Sequence, residues 1–149
     1  MLTQDEVREM FLQRFHCSQI VFGEWAEELG LDKDTAVRLA APLGAGMFCG
    51  ATCGAVSGAL LVIGARYGAC LPNDKERDRA MRDKVKEFQR RFSERFGSTL
   101  CRELLHRDFS QPGEYAKAGR SGVMMEACPG LVTGALEILD DIMKEGEPA

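Results

Sequence analysis

The sequence has no C-x-x-C pair, no basic excess and no apolar leader, and each absence excludes a class of protein. Without C-x-x-C, neither a thioredoxin-type motif nor a zinc ribbon is present. Asp and Glu outnumber Lys and Arg by 23 to 19, which argues against a nucleic-acid partner. The first ten residues are charged and lack an apolar core, so we expect a cytoplasmic protein.

One long stretch of the chain, residues 39–65, carries no charge. Its length would cross a bilayer, but Pro42 and several glycines interrupt its first half. Only about 52–65 forms a continuous helical pattern, which is too short to span. We therefore predict no membrane segment, and a helix at about 52–65 that is buried because its residues are apolar or small on every side.

Glycines recur at every fourth position in this stretch, at Gly46, Gly50, Gly54 and Gly58. Where the chain is helical, this spacing places glycines on one side of the helix and lets a second backbone approach closely. Tight packing explains the spacing as well as a ligand does.

Hydrophobic periodicity and capping residues predict further helices on both sides of this centre. Before the centre they are a first helix, capped by Thr3 and ending near Arg14 or Phe15, and two more at about 17–29 and 32–42. After the centre they are a long helix from Asn73 to Gly97, a short helix capped by Ser98, and a last helix that begins at Pro129. The polar segment 106–122 is predicted to be a long loop with at most a short helix. We predict an all-α fold: a single domain over 1–149, built as a bundle of about six or seven helices around the buried helix at about 52–65.

Six cysteines are spread along the chain. In a reducing compartment, cysteines are expected to bind metals, to be redox-active or simply to be buried, and structural disulfides are less expected. Four of them, Cys17, Cys53, Cys101 and Cys128, are each predicted at or near the N-terminus of a different helix. A helix N-terminus stabilises negative charge by ~0.3–1 kcal/mol at exposed sites. The pattern therefore favours a shared cluster of thiolates or an anionic metal centre.

Other candidate residues have weaker contexts. Cys49 lies four residues before Cys53, so the two would share a helix face, as a dithiol or as two ligands, if the helix began early. His16 and His106 could be ligands or bases, but we interpret both as ordinary polar residues. Ser57 has no G-x-S-x-G context, which argues against hydrolase chemistry.

Four short motifs occur in order along the chain: HCSQ at 16–19, TCGAVSG at 52–58, FGSTLCRELL at 96–105 and ACPGLV at 127–132. Together they resemble the redox-active protein family named for its C_GCAxxG_C_C cysteine pattern. The resemblance covers most of the chain, and several separate motifs match with fitting spacing.

The resemblance implies roles for particular residues. The family's four cysteines correspond to Cys17, Cys53, Cys101 and Cys128, and its CGAxxG motif begins at Cys53 and includes Gly54 and Gly58. It implies redox-active or metal-binding cysteines without supplying an established reaction. Because the chain has no C-x-x-C-H motif, covalent haem is not supported.

Three functions are compatible with these residues. In the first, Cys17, Cys53, Cys101 and Cys128 hold an iron–sulfur cluster or another thiolate-bound metal such as zinc or copper(I), with Gly54 and Gly58 beside the cofactor. In the second, the protein is a metal-free thiol–disulfide redox protein with Cys53 as a low-pKa nucleophile. In the third, it is a structural helical module whose buried cysteines are inert.

The expected partner is a redox partner protein or a metal ion. A homodimer is compatible with a small helical bundle, although no motif indicates one. The sequence leaves open whether the protein is an enzyme.

Overall fold

The computed structural model describes residues 1–145. This part of the chain contains eight α-helices and no β-strand. The helices are α1 (Gln4–Leu12), α2 (Cys17–Trp25), α3 (Lys33–Ala40), α4 (Gly54–Tyr67), α5 (Lys75–Phe96), α6 (Cys101–Leu105), α7 (Glu114–Ser121) and α8 (Val123–Glu145). The predicted all-α bundle is confirmed, with eight helices where six or seven were expected. The predicted domain of 1–149 includes residues 146–149, which lie outside the described residues.

The first helix and the long helix begin at side chains that cap them. Thr3 Oγ1 accepts a hydrogen bond from the Glu6 amide at 3.2 Å, and Glu6 Oε1 accepts one from the Thr3 amide at 3.1 Å, which confirms the predicted capping box. The long helix is capped by Asp74 and not by the predicted Asn73. Asp74 Oδ1 accepts from the Arg77 amide at 3.1 Å, whereas Asn73 is the preceding turn residue with a φ of 62°.

The short helix α6 begins at Cys101, and Leu100 occupies the N-cap position that the sequence assigned to Ser98. Ser98 stabilises the turn before it: its Oγ accepts from the Leu100 amide at 3.0 Å and donates to Glu103 at 2.7 Å. Cys101 is therefore in the first turn, as predicted.

The last helix begins earlier than the sequence predicted. α8 starts at Val123, so Pro129 lies inside the helix, where its missing N–H removes one backbone hydrogen bond. Consequently Cys128 is in the second turn of α8 and not at a helix start. α7 is the short helix expected within 106–122, and it ends at Gly122, whose φ is 81°.

The predicted central helix is confirmed as α4. Five of its side chains have no exposed surface, and they are Ala55, Val56, Ala59, Val62 and Ile63. α4 packs against α2, α5 and α8, which supply further buried apolar residues to the same core. Each large aliphatic side chain buried in this way contributes roughly 1.5–3 kcal/mol relative to an exposed one.

α2 and α4 approach closely because Gly54 and Gly58 have no side chains. A Cβ atom on Gly58 would lie 2.8 Å from the Ser18 carbonyl oxygen, closer than real Cβ contacts allow. The earlier glycines, Gly46 and Gly50, precede α4 and have φ values of 62° and 73°. The predicted glycine ridge is therefore two residues long.

The buried hydroxyl of Ser18 fixes α2 against α3. Its Oγ donates to the Ala40 carbonyl oxygen at 2.7 Å, and Gln19 Nε2 donates to the Val37 carbonyl oxygen at 3.1 Å. Both polar side chains are thus satisfied inside the bundle.

Within residues 1–145, no single helix has the length and apolar character needed to cross a membrane. By length and composition alone, α7 and α8 would do so as a pair, but they meet at an angle of 86°.

Two glycines of α4 provide a test of the α2–α4 contact. Gly58→Ala places a Cβ against the Ser18 backbone, so we expect it to lower the free energy of unfolding by about 1–3 kcal/mol. Gly64→Ala is the matched control, because a Cβ there would meet no atom within 4 Å beyond its chain neighbours and the nearby backbone of α4 itself. That variant should gain about 0.5–1 kcal/mol. Urea denaturation measures both, and equal effects of the two substitutions would contradict the close contact.

Candidate functional site

A short antiparallel bridge joins the segments that precede α4 and α6. The Cys53 amide donates to the Thr99 carbonyl oxygen at 2.8 Å, and the Cys101 amide donates to the Ala51 carbonyl oxygen at 2.7 Å. Because each cysteine directly starts or precedes its helix, this pair of hydrogen bonds brings the N-termini of α4 and α6 together. Two of the four family cysteines are therefore positioned by backbone bonds alone.

Cys17 is the first residue of α2, and its sulfur faces the start of α4. A Cβ on Gly54 would collide with Cys17 Sγ, so the sulfur occupies the space of the missing side chain. Burial raises the pKa of the Cys17 thiol, and the backbone amides of Ala45, Ser18 and Gly54 act in the opposite direction. Amides from three separate segments thus converge on one atom, an arrangement that stabilises negative charge.

The amide of Ala45 belongs to an unusual left-handed turn. Four consecutive residues have positive φ: 50° at Ala45, 62° at Gly46, 59° at Met47 and 56° at Phe48. Such backbone costs roughly 1–2 kcal/mol for each residue with a Cβ atom. The turn closes where the Ala51 amide donates to the Gly46 carbonyl oxygen at 2.9 Å. Strained segments of this kind cluster at functional sites.

All four family cysteines line one cavity with a volume of about 520 Å³. Cys17 and Cys53 belong to the main hydrophobic core, whereas Cys101 and Cys128 belong to a second, smaller apolar cluster around α6 and α7. The cavity therefore lies where the two clusters meet. Most of its remaining wall is apolar and includes Phe11, Phe15, Leu104, Leu105, Met124, Met125 and Leu131.

Three rings line one side of the cavity. His16 and Phe48 meet edge to face with their centroids 5.0 Å apart, and Phe48 meets Tyr115 in the same way at 5.4 Å. Phe48 and Tyr115 are each 38% exposed, so they form the rim of the cavity. Burial lowers the pKa of His16, which keeps its imidazole neutral near pH 7.

The thiols at this site are buried, and burial raises the pKa of each one. Cys17, Cys53 and Cys101 are 8%, 4% and 5% exposed, and Cys128 is partly buried. The pKa of Cys101 rises to about 12, and that of Cys128 lies well above its ordinary value. Negative charge on the other cysteines raises these pKa values further, which means that the four thiols lie within electrostatic reach of one another.

The predicted low pKa of Cys53 is wrong. Cys53 is the N-cap of α4, and hydrogen bonds from the amides of Ala55 and Val56 do lower its pKa, as the helix start leads one to expect. Burial raises the pKa of the same thiol and is the larger effect. In this environment the neutral thiol of Cys53 is favoured over the thiolate.

Of the two glycines predicted to bind a cofactor, Gly54 and Gly58, one lines the cavity and the other does not. Gly54 lines the cavity beside Cys17, whereas Gly58 packs on Ser18 between α2 and α4. The position of Gly58 thus supports a packing role and not contact with a cofactor. Cys49 and Cys70, which lie outside the family pattern, are both exposed.

The described residues contain no group of three or more His, Cys, Asp or Glu side chains arranged to hold a metal ion. None of the six cysteines, all of which lie in this part of the chain, forms a disulfide. The site therefore consists of four separate thiols around a cavity.

A family model with the description "Putative redox-active protein (C_GCAxxG_C_C)" matches residues 15–142. The chain belongs to this family. The matched residues include Cys17, Cys53, Cys101 and Cys128, and membership of the family supports a redox-active protein. Neither the curated proteins nor the solved structures include a match to the chain.

The cysteines differ enough in exposure for a thiol-labelling test. Cys49 and Cys70 should react with iodoacetamide at ordinary rates, because both are exposed. The four cavity thiols should react more than about tenfold more slowly, since burial limits access and raises their pKa. Peptide mass spectrometry after timed labelling measures each rate, with denatured protein as the control. Rapid labelling of Cys53 in the native protein would contradict this account.

Proposed function

We propose that the protein holds an iron–sulfur cluster through Cys17, Cys53, Cys101 and Cys128 and exchanges electrons with a redox partner protein. The principal support is the convergence of four thiols, from four segments of a redox-active family member, on one cavity of about 520 Å³. Four cysteine thiolates are the usual ligands of [2Fe–2S] and [4Fe–4S] clusters.

The size of the cavity favours a cluster over a single ion. A lone zinc ion needs its sulfur ligands about 2.3 Å from a common point, which would leave most of this volume empty. A polynuclear centre distributes its ligands over a wider space, so the same four cysteines suit it better.

The backbone around Cys17 suits a negatively charged sulfur. The amides of Ser18, Gly54 and Ala45 favour the thiolate form of Cys17 and oppose the larger effect of burial on its pKa. Hydrogen bonds to the ligand sulfurs are one of the means by which a protein adjusts the potential of a cluster. This chain would thus stabilise the ligand and adjust its electronic properties with main-chain groups, which side-chain substitutions leave in place.

The cavity wall would exclude water from the sulfurs. Apolar side chains of α1, α6 and α8 line most of it, and the half-exposed rings of Phe48 and Tyr115 form its rim. When bound, a cluster would supply one-electron transfer. The rim is the part of the wall that a partner protein can reach.

The raised pKa values are compatible with ligand binding. Each thiol must release its proton to bind a metal, so affinity is expected to fall as the pH is lowered. By contrast, a thiol–disulfide protein needs an accessible nucleophile with a low pKa. Cys53 is 4% exposed and burial raises its pKa, so the structure favours this second function less.

The cluster is tested by purifying the protein without oxygen and measuring iron, acid-labile sulfide and the visible absorption spectrum. The native chain should contain iron and sulfide in equal amounts and show charge-transfer bands. Cys53→Ser removes a ligand and should lose most of the iron, whereas Cys70→Ser, the matched control at an exposed cysteine, should retain it. Circular dichroism verifies that both variants are folded.

Other results would replace the proposal with a definite alternative. Stoichiometric zinc or copper would indicate a single-ion site. A colourless, metal-free native chain whose cavity thiols oxidise in pairs would indicate thiol–disulfide chemistry. A metal-free chain whose thiols remain inert would indicate a structural role.

A further inference from the structure

We infer that Cys49 and Cys101 form a disulfide when the protein meets a low-molecular-weight disulfide such as glutathione disulfide, with Cys49 as the exposed point of attack. Cys49 lies outside the four-cysteine pattern of the family, and the cavity does not account for it. The pairing itself does not depend on the proposed function, although its effect on a bound cluster does.

The turn that carries Cys49 is attached to Cys101 at both ends. At its beginning, Gly46 packs on Cys101 so tightly that a Cβ on the glycine would lie 2.8 Å from Cys101 Cβ. At its end, the Ala51 carbonyl oxygen accepts the hydrogen bond from the Cys101 amide at 2.7 Å. Cys49 lies between these two contacts.

The thiol of Cys49 is directed into this turn. Its Sγ lies 3.4 Å from the carbonyl oxygen of Gly46, the residue that touches Cys101. A disulfide requires Cα atoms within about 7 Å, and the two contacts hold the turn that carries Cys49 against Cys101.

Cys70 provides the contrast. It is also exposed, but it follows the C-terminal end of α4, whereas the cavity lies at the N-terminal end. The 14 residues of α4 separate the two ends by about 20 Å. Cys70 therefore cannot pair with a cavity thiol without unfolding.

The reaction proceeds by two thiol–disulfide exchanges. The Cys49 thiolate attacks one sulfur of the small disulfide, so a mixed disulfide forms on Cys49 and one small thiol leaves with a proton. Cys101 then gives up its proton and attacks the Cys49 sulfur, which forms the Cys49–Cys101 bond and releases the second small thiol. Two protein thiols are oxidised, and one small disulfide is reduced to two thiols.

The pairing would change the donor set of the cavity. Once bonded to Cys49, the Cys101 sulfur cannot serve as a thiolate ligand. The redox state of small thiols outside the protein would thereby determine whether the cavity has four thiols or three.

The test uses the full chain with the Cys70→Ser substitution, which leaves Cys49 as the one cysteine that is exposed in the structure. It is incubated anaerobically with glutathione disulfide, both as purified and after treatment with an iron chelator. Free thiols are then alkylated, and disulfide-linked peptides are identified by mass spectrometry. The linked peptide is measured after the reaction has reached completion, because the buried Cys101 thiol attacks slowly.

A Cys49–Cys101 linked peptide in either sample, with no glutathione retained, is the expected result. The Cys101→Ser variant should retain glutathione on Cys49, because the resolving thiol is gone. The Cys49→Ser variant should leave Cys101 reduced. Glutathione that remains on Cys49 in both samples while Cys101 is intact, or Cys49 bonded to another cysteine, would overturn the inference.

Iron measured in the same samples separates this inference from the proposed function. A linked peptide from a chain that contains no iron as purified would support the pairing and count against the cluster. An iron-containing chain that forms no link after chelation would support the cluster and overturn the pairing.

Discussion

The site depends on the absence of a side chain at Gly54. A Cβ there would occupy the position of Cys17 Sγ and would also lie 3.1 Å from the Leu43 carbonyl oxygen. Because Gly54 is the first residue of α4 and Cys17 the first residue of α2, the two helix starts can meet only without this atom. The meeting gives the Cys17 sulfur amides from both helices. It also places Cys53, the residue before Gly54, near Cys17, and the bridge to Thr99 then brings Cys101 to the same end of α4.

Burial raises the pKa of these thiols, whereas the amides at helix starts lower it. Amides at a helix start favour a thiolate by about 0.3–1 kcal/mol at exposed sites and by up to about 2 kcal/mol where they are partly buried. Removing the same thiolate from water is costlier, and so the pKa of Cys53 is raised although Cys53 caps a helix. In the proposed function a positively charged ligand in the cavity would reconcile the two effects, since it would offset the loss of water while the amides keep their alignment. For this reason the pKa shifts and the amide contacts favour the same proposal.

Much of the fold could be predicted from local sequence, because helix periodicity, capping residues and glycine stops act within a few residues. The burial of α4 followed from a helix with no polar face, and the positions of Cys17, Cys53 and Cys101 followed from nearby helix starts. Cys128 was misplaced because Pro129 suits a first helical turn as well as the interior position that tertiary contacts impose. The low pKa expected of Cys53 was wrong because burial depends on the whole bundle. The left-handed turn had no signal, since Ala45, Met47 and Phe48 rarely adopt positive φ.

That turn is better explained by the site than by the fold. Three left-handed residues with side chains cost about 3–6 kcal/mol together, a large share of the 5–15 kcal/mol that stabilises a typical domain. A relaxed connection between α3 and α4 would avoid this cost, but it would turn the Ala45 amide away from the Cys17 sulfur. It would also remove Phe48 from its contacts with His16 and Tyr115 at the cavity rim. The contacts of Ala45 and Phe48 that a relaxed connection would lose therefore lie at the cavity, which links the strained backbone to the site proposed for the four sulfurs.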